Sequence, residues 1–235
     1  VRTLHILPAW NEDVVAENNS GKVPVVVYTD ADKVELYFTP EGSTERQKIG
    51  EKEFTEVTSD SGSGKYTYKI YQGEDKNSAE HKNLYLTWDV EYAAGTIEAV
   101  AYDRTADGQY TQVADTEGRS SVTTTGAAAK LEAAADRDAI AADGADLSYI
   151  TVNITDEEGN IVPDAANNVK FTVEGEGRLV GVDNGKQDDH QSYQDNNRNA
   201  FSGSLTAIIQ STKNAGEITV TASAEGLDPA TVKIT

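Results

Sequence analysis

Val34-Glu35-Leu36-Tyr37-Phe38 places three apolar side chains, Val34, Leu36 and Phe38, on one side of an extended backbone, with Glu35 and Tyr37 on the other. Side chains of a strand alternate between faces, so such a stretch has one buried face and one solvated face. The same period of two returns along the chain. Tyr66, Tyr68 and Ile70 alternate with Lys65, Thr67 and Lys69, and Leu84, Leu86 and Trp88 follow. Ile150, Val152 and Ile154 continue the pattern, then Phe171 and Val173, then Ile218, Val220 and Ala222, then Val232 and Ile234. Turn-forming clusters separate these stretches: Ser61-Gly62-Ser63-Gly64, Asp107-Gly108, Glu158-Gly159-Asn160, Asn184-Gly185 and Glu225-Gly226. Many short alternating strands between turns predict an all-β chain of antiparallel sandwiches.

One stretch has a helical composition. Ala127 to Ala142 holds nine alanines, and alanine is the strongest helix former. The stretch is nevertheless marginal in length for a stable helix, and it lies between Gly126 and Asp143-Gly144. A linker followed by a strand around Lys130-Leu131-Glu132-Ala133 is expected instead. Of seventeen aromatic residues, thirteen precede residue 126. With the run Ser120-Ser121-Val122-Thr123-Thr124-Thr125-Gly126, this shift places a boundary there and predicts domains at 1–126 and 127–235. The 37% hydrophobic content over 235 residues is low for one large globule and suits two small cores.

Forty acidic against twenty basic residues give a net charge of −20. That excludes a nucleic-acid ligand, which needs a basic face to release counterions, and docking on anionic lipid. No apolar run approaches the roughly 18 residues of a membrane span, so insertion by this chain is not expected. Cysteine is absent, which removes disulfides, zinc–thiolate sites and thiol nucleophiles. A cysteine-free chain rich in Asn, Asp, Thr and Gly is similar in composition to surface proteins of Gram-positive bacteria, so an extracellular, secreted or wall-attached location is expected. Methionine is also absent, and the chain opens Val1-Arg2-Thr3 with no signal segment; the expectation is an internal piece of a longer protein.

Chemistry-bearing motifs are sparse. His5, His81 and His190 stand in no H-E-x-x-H pattern and beside no G-x-S-x-G elbow. Asp183, Asn184, Asp188 and Asp189 are hard oxygen donors of the kind calcium takes, but their spacing does not match a D-x-[DN]-x-[DN]-G loop. A solvated loop with an Asn-Gly turn is the favoured reading, and no cofactor is expected. From Asp183 to Asn199 the only large apolar residue is Tyr193, and such a connection is long for a small sandwich. Arg198 and Phe201 close it. Phe201 is expected in the core and Arg198 against a loop carboxylate, with a neighbouring domain or a glycan at Tyr193 and Arg198 as the other reading. Trp10, Tyr37, Tyr71 and Tyr85 are candidates for an exposed sugar platform, and packing in an inter-domain seam is their more ordinary role. Trp88, in step with Leu84 and Leu86, reads as core.

Two segments carry a family resemblance. The first comprises Leu4-His5-Ile6-Leu7-Pro8-Ala9-Trp10-Asn11, Val23-Pro24-Val25-Val26-Val27-Tyr28-Thr29, Val34 to Phe38, and Leu86-Thr87-Trp88-Asp89-Val90-Glu91-Tyr92-Ala93-Ala94-Gly95-Thr96-Ile97. It resembles the domain following the catalytic barrel in family 2 glycoside hydrolases of the β-galactosidase type. The second comprises Ala142 to Val152, Asp156 to Ala165, Gly181 to Gly185, and Arg198 to Gly203. It is similar to the next C-terminal immunoglobulin-like domain of those enzymes. The pattern departs after Phe38, where Thr39-Pro40-Glu41-Gly42-Ser43 replaces an Asn-Gly turn and a long insert then runs through Tyr66 to Lys82. The resemblance implies two consecutive antiparallel immunoglobulin-like β-sandwich domains. It also implies a parent that hydrolyses terminal β-galactosides with retention, through two glutamates on an upstream barrel. No catalytic residue carries over to this chain. Expected partners are the parent's neighbouring domains and galactose-containing glycans, with the chain itself monomeric. The Asp143-Gly144 to Pro163 segment also resembles invasin-type adhesin repeats, so a glycan-binding module and an adhesin stalk are the alternatives to an accessory scaffold.

Overall fold

The computed structural model describes residues 2–62, 64–71, 83–114, 116–117 and 120–235. Among these there is no helix, and the chain divides into two compact units, Val1–Thr124 and Thr125–Thr235. The sequence reading places the joint at residue 126.

The first unit holds β1 (Arg2–Leu7), β2 (Val23–Thr29), β3 (Lys33–Pro40), β4 (Gln47–Glu53), β5 (Thr55–Ser61), β6 (Gly64–Ile70), β7 (Leu86–Val90), β8 (Gly95–Arg104), β9 (Tyr110–Gln112), β10 (Thr116–Glu117) and β11 (Ser121–Thr123). Sheet order is β10-β1-β2-β7 in one layer and β11-β8-β3-β4 in the other, with β9 also on β8. One pairing departs from the antiparallel expectation: β1 and β10 run parallel. The alternation sets the layers. Val34 and Leu36 of β3, Val25 and Val27 of β2, and Ile97 and Ala99 of β8 are buried in a common core with Leu86 and Trp88. Burying each large aliphatic side chain contributes about 1.5–3 kcal/mol relative to exposure. Gly95 joins β8 to the end of β3: its φ is +150, and a Cβ there would lie 2.2 Å from the Thr39 carbonyl oxygen.

Two expectations fail in this unit. Leu84, read as core, is 65% exposed, because it sits in a bend ahead of β7 and outside the strand's alternation. β5 and β6 form a separate two-stranded ribbon, and of the triplet Tyr66, Tyr68 and Ile70 only Ile70 is buried. The period of two was real, but only the base of the ribbon reaches the unit's interior. The part of the insert at residues 72–82, including His81, lies outside the described residues.

The second unit holds β12 (Lys130–Ala135), β13 (Leu147–Thr155), β14 (Asn168–Gly175), β15 (Gly177–Asp183), β16 (Asn197–Asn199), β17 (Ser204–Ser211), β18 (Ile218–Ser223) and β19 (Ala230–Ile234). They form two four-stranded sheets, β12-β13-β17-β15 and β16-β14-β18-β19. The alanine-rich stretch becomes β12, paired with β13 from Lys130↔Thr155 to Ala135↔Ile150. Small side chains pack as well on a half-buried strand as on a helix, and here the ladder to β13 decides. Ile150, Val152, Ile154, Phe171, Ile218, Val220, Ala222 and Ile234 are buried. Asp156, at the end of β13, is 1% exposed. Its carboxylate accepts the backbone N–H of Asn160 at 2.7 Å and of Gly126 at 3.0 Å, tying the residues ahead of β12 to the turn after β13.

Candidate functional site

The four aromatic candidates of the first unit do not form a platform. Trp10 is wholly buried; its indole N–H donates to the Ala93 carbonyl at 2.8 Å and its ring lies 5.3 Å from Tyr92. A tryptophan with no exposed face cannot stack on a sugar. Tyr37 is half-buried, with the Arg46 guanidinium 3.5 Å from its ring centre. Tyr71 lies under the Lys52 ammonium at 4.9 Å. Tyr85 is half-buried against the ring of Tyr28, 5.6 Å away. Tyr37 stands in the five-stranded sheet, whereas Tyr85 leads into the four-stranded one.

A group the sequence reading passed over lies on the outward face of β3. Lys33, Glu35 and Tyr37 alternate there, and β4, β8 and β9 bring up partners. The Glu35 carboxylate accepts from Lys33 and Lys48, each at 3.0 Å, from the Tyr102 hydroxyl at 3.1 Å and from the Tyr37 hydroxyl. The Lys33 ammonium sits 4.7 and 4.6 Å from the Tyr102 and Tyr110 ring centres. Burial alone would raise the Glu35 carboxyl, but the donors from Tyr37, Lys33, Lys48 and Tyr102 outweigh it and hold it at about 2. The Tyr37 hydroxyl, donating to that anion, is pushed up to about 12. The K-x-E-x-Y spacing was the only local signal for this network, and its other members come from distant strands.

In the second unit the residues of the long loop are drawn together. Arg198, on β16, has no exposed surface. Its Nη1–H donates to the Gln191 carbonyl at 3.1 Å, its Nη2 lies 3.4 Å from Asp189 and 3.9 Å from Asp183, and Tyr193 covers the guanidinium at 4.5 Å. Nη2 forms its ion pair off hydrogen-bond geometry, and Nε has no acceptor. Arg198 thus holds a loop carboxylate, as expected, and its burial removes it as a glycan contact. Tyr193 is 55% exposed on its other side. Phe201, expected in the core, is 43% exposed, whereas its neighbour Ala200 is buried. The reason is the two-residue turn Ser202-Gly203. Phe201 and Ser204 exchange backbone hydrogen bonds at 3.0 and 3.1 Å across it, and both turn residues have positive φ, +51 and +76. A Cβ on Gly203 would lie 2.4 Å from the Val162 carbonyl oxygen, so the turn packs tightly and points Phe201 outward.

The oxygen donors of this loop are engaged internally. Asp183 accepts the N–H of Asn184 and Gly185, and the Asn184 side-chain oxygen accepts the N–H of Lys186. Asp189 accepts the Gln191 N–H at 2.8 Å and the Asn184 amide at 2.7 Å. The Gln191 amide, then Asn184 and the Arg198 charge, hold the Asp189 carboxyl below the ordinary range. Asp188 faces Lys186 at 3.5 Å. The four residues therefore do not converge as cation ligands, and among the described residues no group of three or more acidic or imidazole side chains is arranged to hold a metal. Between this loop, the Pro163–Ala166 turn and the Phe201 hairpin lies an open cleft of about 410 Å³, with Lys186, Asp188 and His190 on its rim.

Several carboxyl groups are held below the ordinary carboxylate range: Asp32, Glu35, Asp103 and Asp107 in the first unit, and Asp136, Asp143, Asp146, Asp156, Asp189 and Glu217 in the second. These groups serve as anionic acceptors that fasten strands and turns.

Comparison with known proteins follows this division. Residues 131–233 match the family model described as glycoside hydrolase family 2 C-terminal domain 5. Residues 20–107 match a domain of unknown function, DUF4982. The β-galactosidase BoGH2A of Bacteroides ovatus is 30% identical over 233 residues, which is 99% of this chain and 22% of that protein. A β-galactosidase of Thermoanaerobacter pseudethanolicus is 35% identical over 89 residues, 38% of this chain and 10% of that one. The crystal structure of a β-glycosidase from Bacteroides vulgatus superposes with a TM-score of 0.74 at 26% identity, covering 99% of this chain and 24% of that one. The chain thus spans less than a quarter of the length of these relatives. Over residues 131–233 the chain is thus similar to a C-terminal domain of glycoside hydrolase family 2.

Proposed function

We propose that the chain is a non-catalytic accessory part of a β-galactosidase that cleaves terminal β-galactosides with retention on an upstream barrel. Its two sandwiches pack beside that barrel or space it from other domains. The observation that supports this reading is the position of the match: residues 131–233 resemble a C-terminal domain of glycoside hydrolase family 2, and the chain corresponds to 22% of the length of the Bacteroides ovatus β-galactosidase. The names of the β-galactosidase relatives support the substrate class. Removing these 235 residues from the parent should lower its Tm while leaving kcat on a small chromogenic β-galactoside within a few-fold. Loss of turnover in a truncated barrel that still unfolds cooperatively would overturn the reading. Export to a secreted or wall-attached location, with its Gram-positive setting, is the further part of the proposal. It rests on the cysteine-free composition, and cell fractionation that recovers the protein in the cytosol would reject it.

A further inference from the structure

We propose that the cleft of the second unit, between the 184–196 loop and the Phe201–Ser204 turn, binds a neutral hexopyranoside, with Phe201 as its stacking wall. This rests on the carbohydrate role proposed above and adds a binding site to it.

The cleft measures about 410 Å³, within the range of about 300–1,000 Å³ typical of small-molecule sites. Its chemistry is two-sided. Phe201 is 43% exposed and stands outside the unit's apolar core, and Pro163 and Ala166 add apolar groups to the same lining. The rim mixes acceptors, the carboxylates of Asp164 and Asp188, with donors from Lys186, His190 and Ser202. A pyranose has that same division: one face of C–H groups that packs on an aromatic ring, and an edge of hydroxyls that each donate and accept.

The loop that supplies one wall is preorganised. Arg198 is fully buried beneath the loop and fastened to Gln191 and Asp189, the Gln191 side chain accepts the Asn199 N–H at 3.0 Å, and the Val182 N–H donates to the Tyr193 carbonyl at 2.8 Å. Ser202 is the only non-glycine residue with positive φ among the described residues, and the turn that holds it there turns Phe201 outward. A side chain displayed from a rigid support loses little freedom on binding. Charge selects the ligand further. With Asp164 and Asp188 on the rim and a chain of net charge −20, a uronic acid is repelled and a neutral sugar is not. The larger cleft of the first unit lacks this character. It is lined by Asp32, Glu53, Lys69 and Arg104, which pair with one another at 2.7 Å (Lys69–Asp32) and 3.1 Å (Arg104–Glu53), and its phenylalanine, Phe54, is buried.

The test is amide-resolved NMR titration of the full chain with methyl β-D-galactopyranoside, lactose and methyl β-D-glucuronide as probes. Saturable shifts are expected at residues 163–166, 184–191 and 199–203 with the two neutral probes. Phe201→Ala should weaken binding by about tenfold, and the glucuronide should bind more weakly than either neutral sugar. Phe201 is exposed, so its removal leaves the core intact; Asp164→Asn, on an exposed residue of the rim, is the second variant and should also weaken binding. No saturable shift at these amides, shifts centred on the Tyr66/Tyr68 ribbon instead, an undiminished affinity in Phe201→Ala, or equal affinity for the glucuronide would each overturn the proposal. None of these outcomes bears on the accessory role, which is read from truncation of the parent.

Discussion

The two units hold their carboxylates in different ways. In the first, side chains do most of the work: Glu35 is held by Tyr37, Lys33, Lys48 and Tyr102, Asp103 by Arg2, and Asp32 by Lys69 together with the Arg104 amide. In the second, backbone amides dominate: Asp136 accepts from Tyr149, Asp143 from Ala145 and Asp146, Asp146 from Ala141 and Leu147, and Asp156 from Asn160 and Gly126. The first unit thus staples the open face of a sheet with ion pairs across strands, whereas the second fastens turns with Asx caps. The same residue types produce a salt-sensitive surface in one place and a salt-insensitive frame in the other.

The comparison can be broken at Arg198, which with the exposed Lys233–Glu217 pair departs from the backbone pattern of the second unit. Its removal leaves Asp189 and the Gln191 carbonyl facing a void, so Arg198→Leu should cost about 3–5 kcal/mol. Hydrogen exchange should show that loss in residues 125–235 before it shows any in the first unit, and an unchanged exchange pattern would mean the buried guanidinium is not what organises the loop. Asp156→Ala removes the buried acceptor of two partly buried amide hydrogen bonds and should destabilise the second unit by about 1–3 kcal/mol. Since those bonds do not rely on a cationic partner, the loss should be nearly the same at low and high salt in denaturant titrations.

Glu35→Gln is the counterpart in the first unit, with an expected loss of about 1–2 kcal/mol. Its pH dependence has a definite sign. The folded carboxyl, held at about 2, lies below its ordinary 4.5, so its contribution is complete above about pH 4.5 and is lost as the pH falls toward 2. Glu35→Gln should flatten that acid limb of the stability curve, measured by tryptophan emission, since both tryptophans, Trp10 and Trp88, lie in the first unit. The smallest effect is that of salt itself. Raising ionic strength should lower the first unit's midpoint by less than about 1 kcal/mol and the second unit's by less still. The reverse order would contradict the division drawn above.

Much of the frame was legible because one face of each strand is buried and the side-chain period is two. Ile150, Val152 and Ile154, or Val34 and Leu36, have no other way to hide. Legibility ended where a turn interrupts that period. Phe201 was placed inside because it precedes the strand of Leu205, but the intervening Ser202-Gly203 turn inverts its direction and sends Ala200 in instead. Leu84 fails for a similar reason, being one step outside its strand. Tyr66 and Tyr68 alternate as a strand should, but periodicity reports only that faces differ, not that a second layer covers one of them. The Glu35 network was invisible because its partners come from β4 and β8, and Trp10 because the carbonyl it bonds lies 83 residues away. At the 184–196 loop the pairing of Arg198 with a carboxylate was legible from composition; the cleft beside Phe201 was not, since it exists only once three segments meet.

The proposed accessory role requires that the chain cleave no β-galactoside unaided, and the most direct measurement is turnover of a chromogenic β-galactoside by purified residues 1–235, beside the full parent at equal molarity. The expected result is a rate indistinguishable from buffer for the chain and rapid release by the parent. Turnover by the chain that tracks its folded fraction and disappears on mutation of one of its own carboxylates would contradict the account.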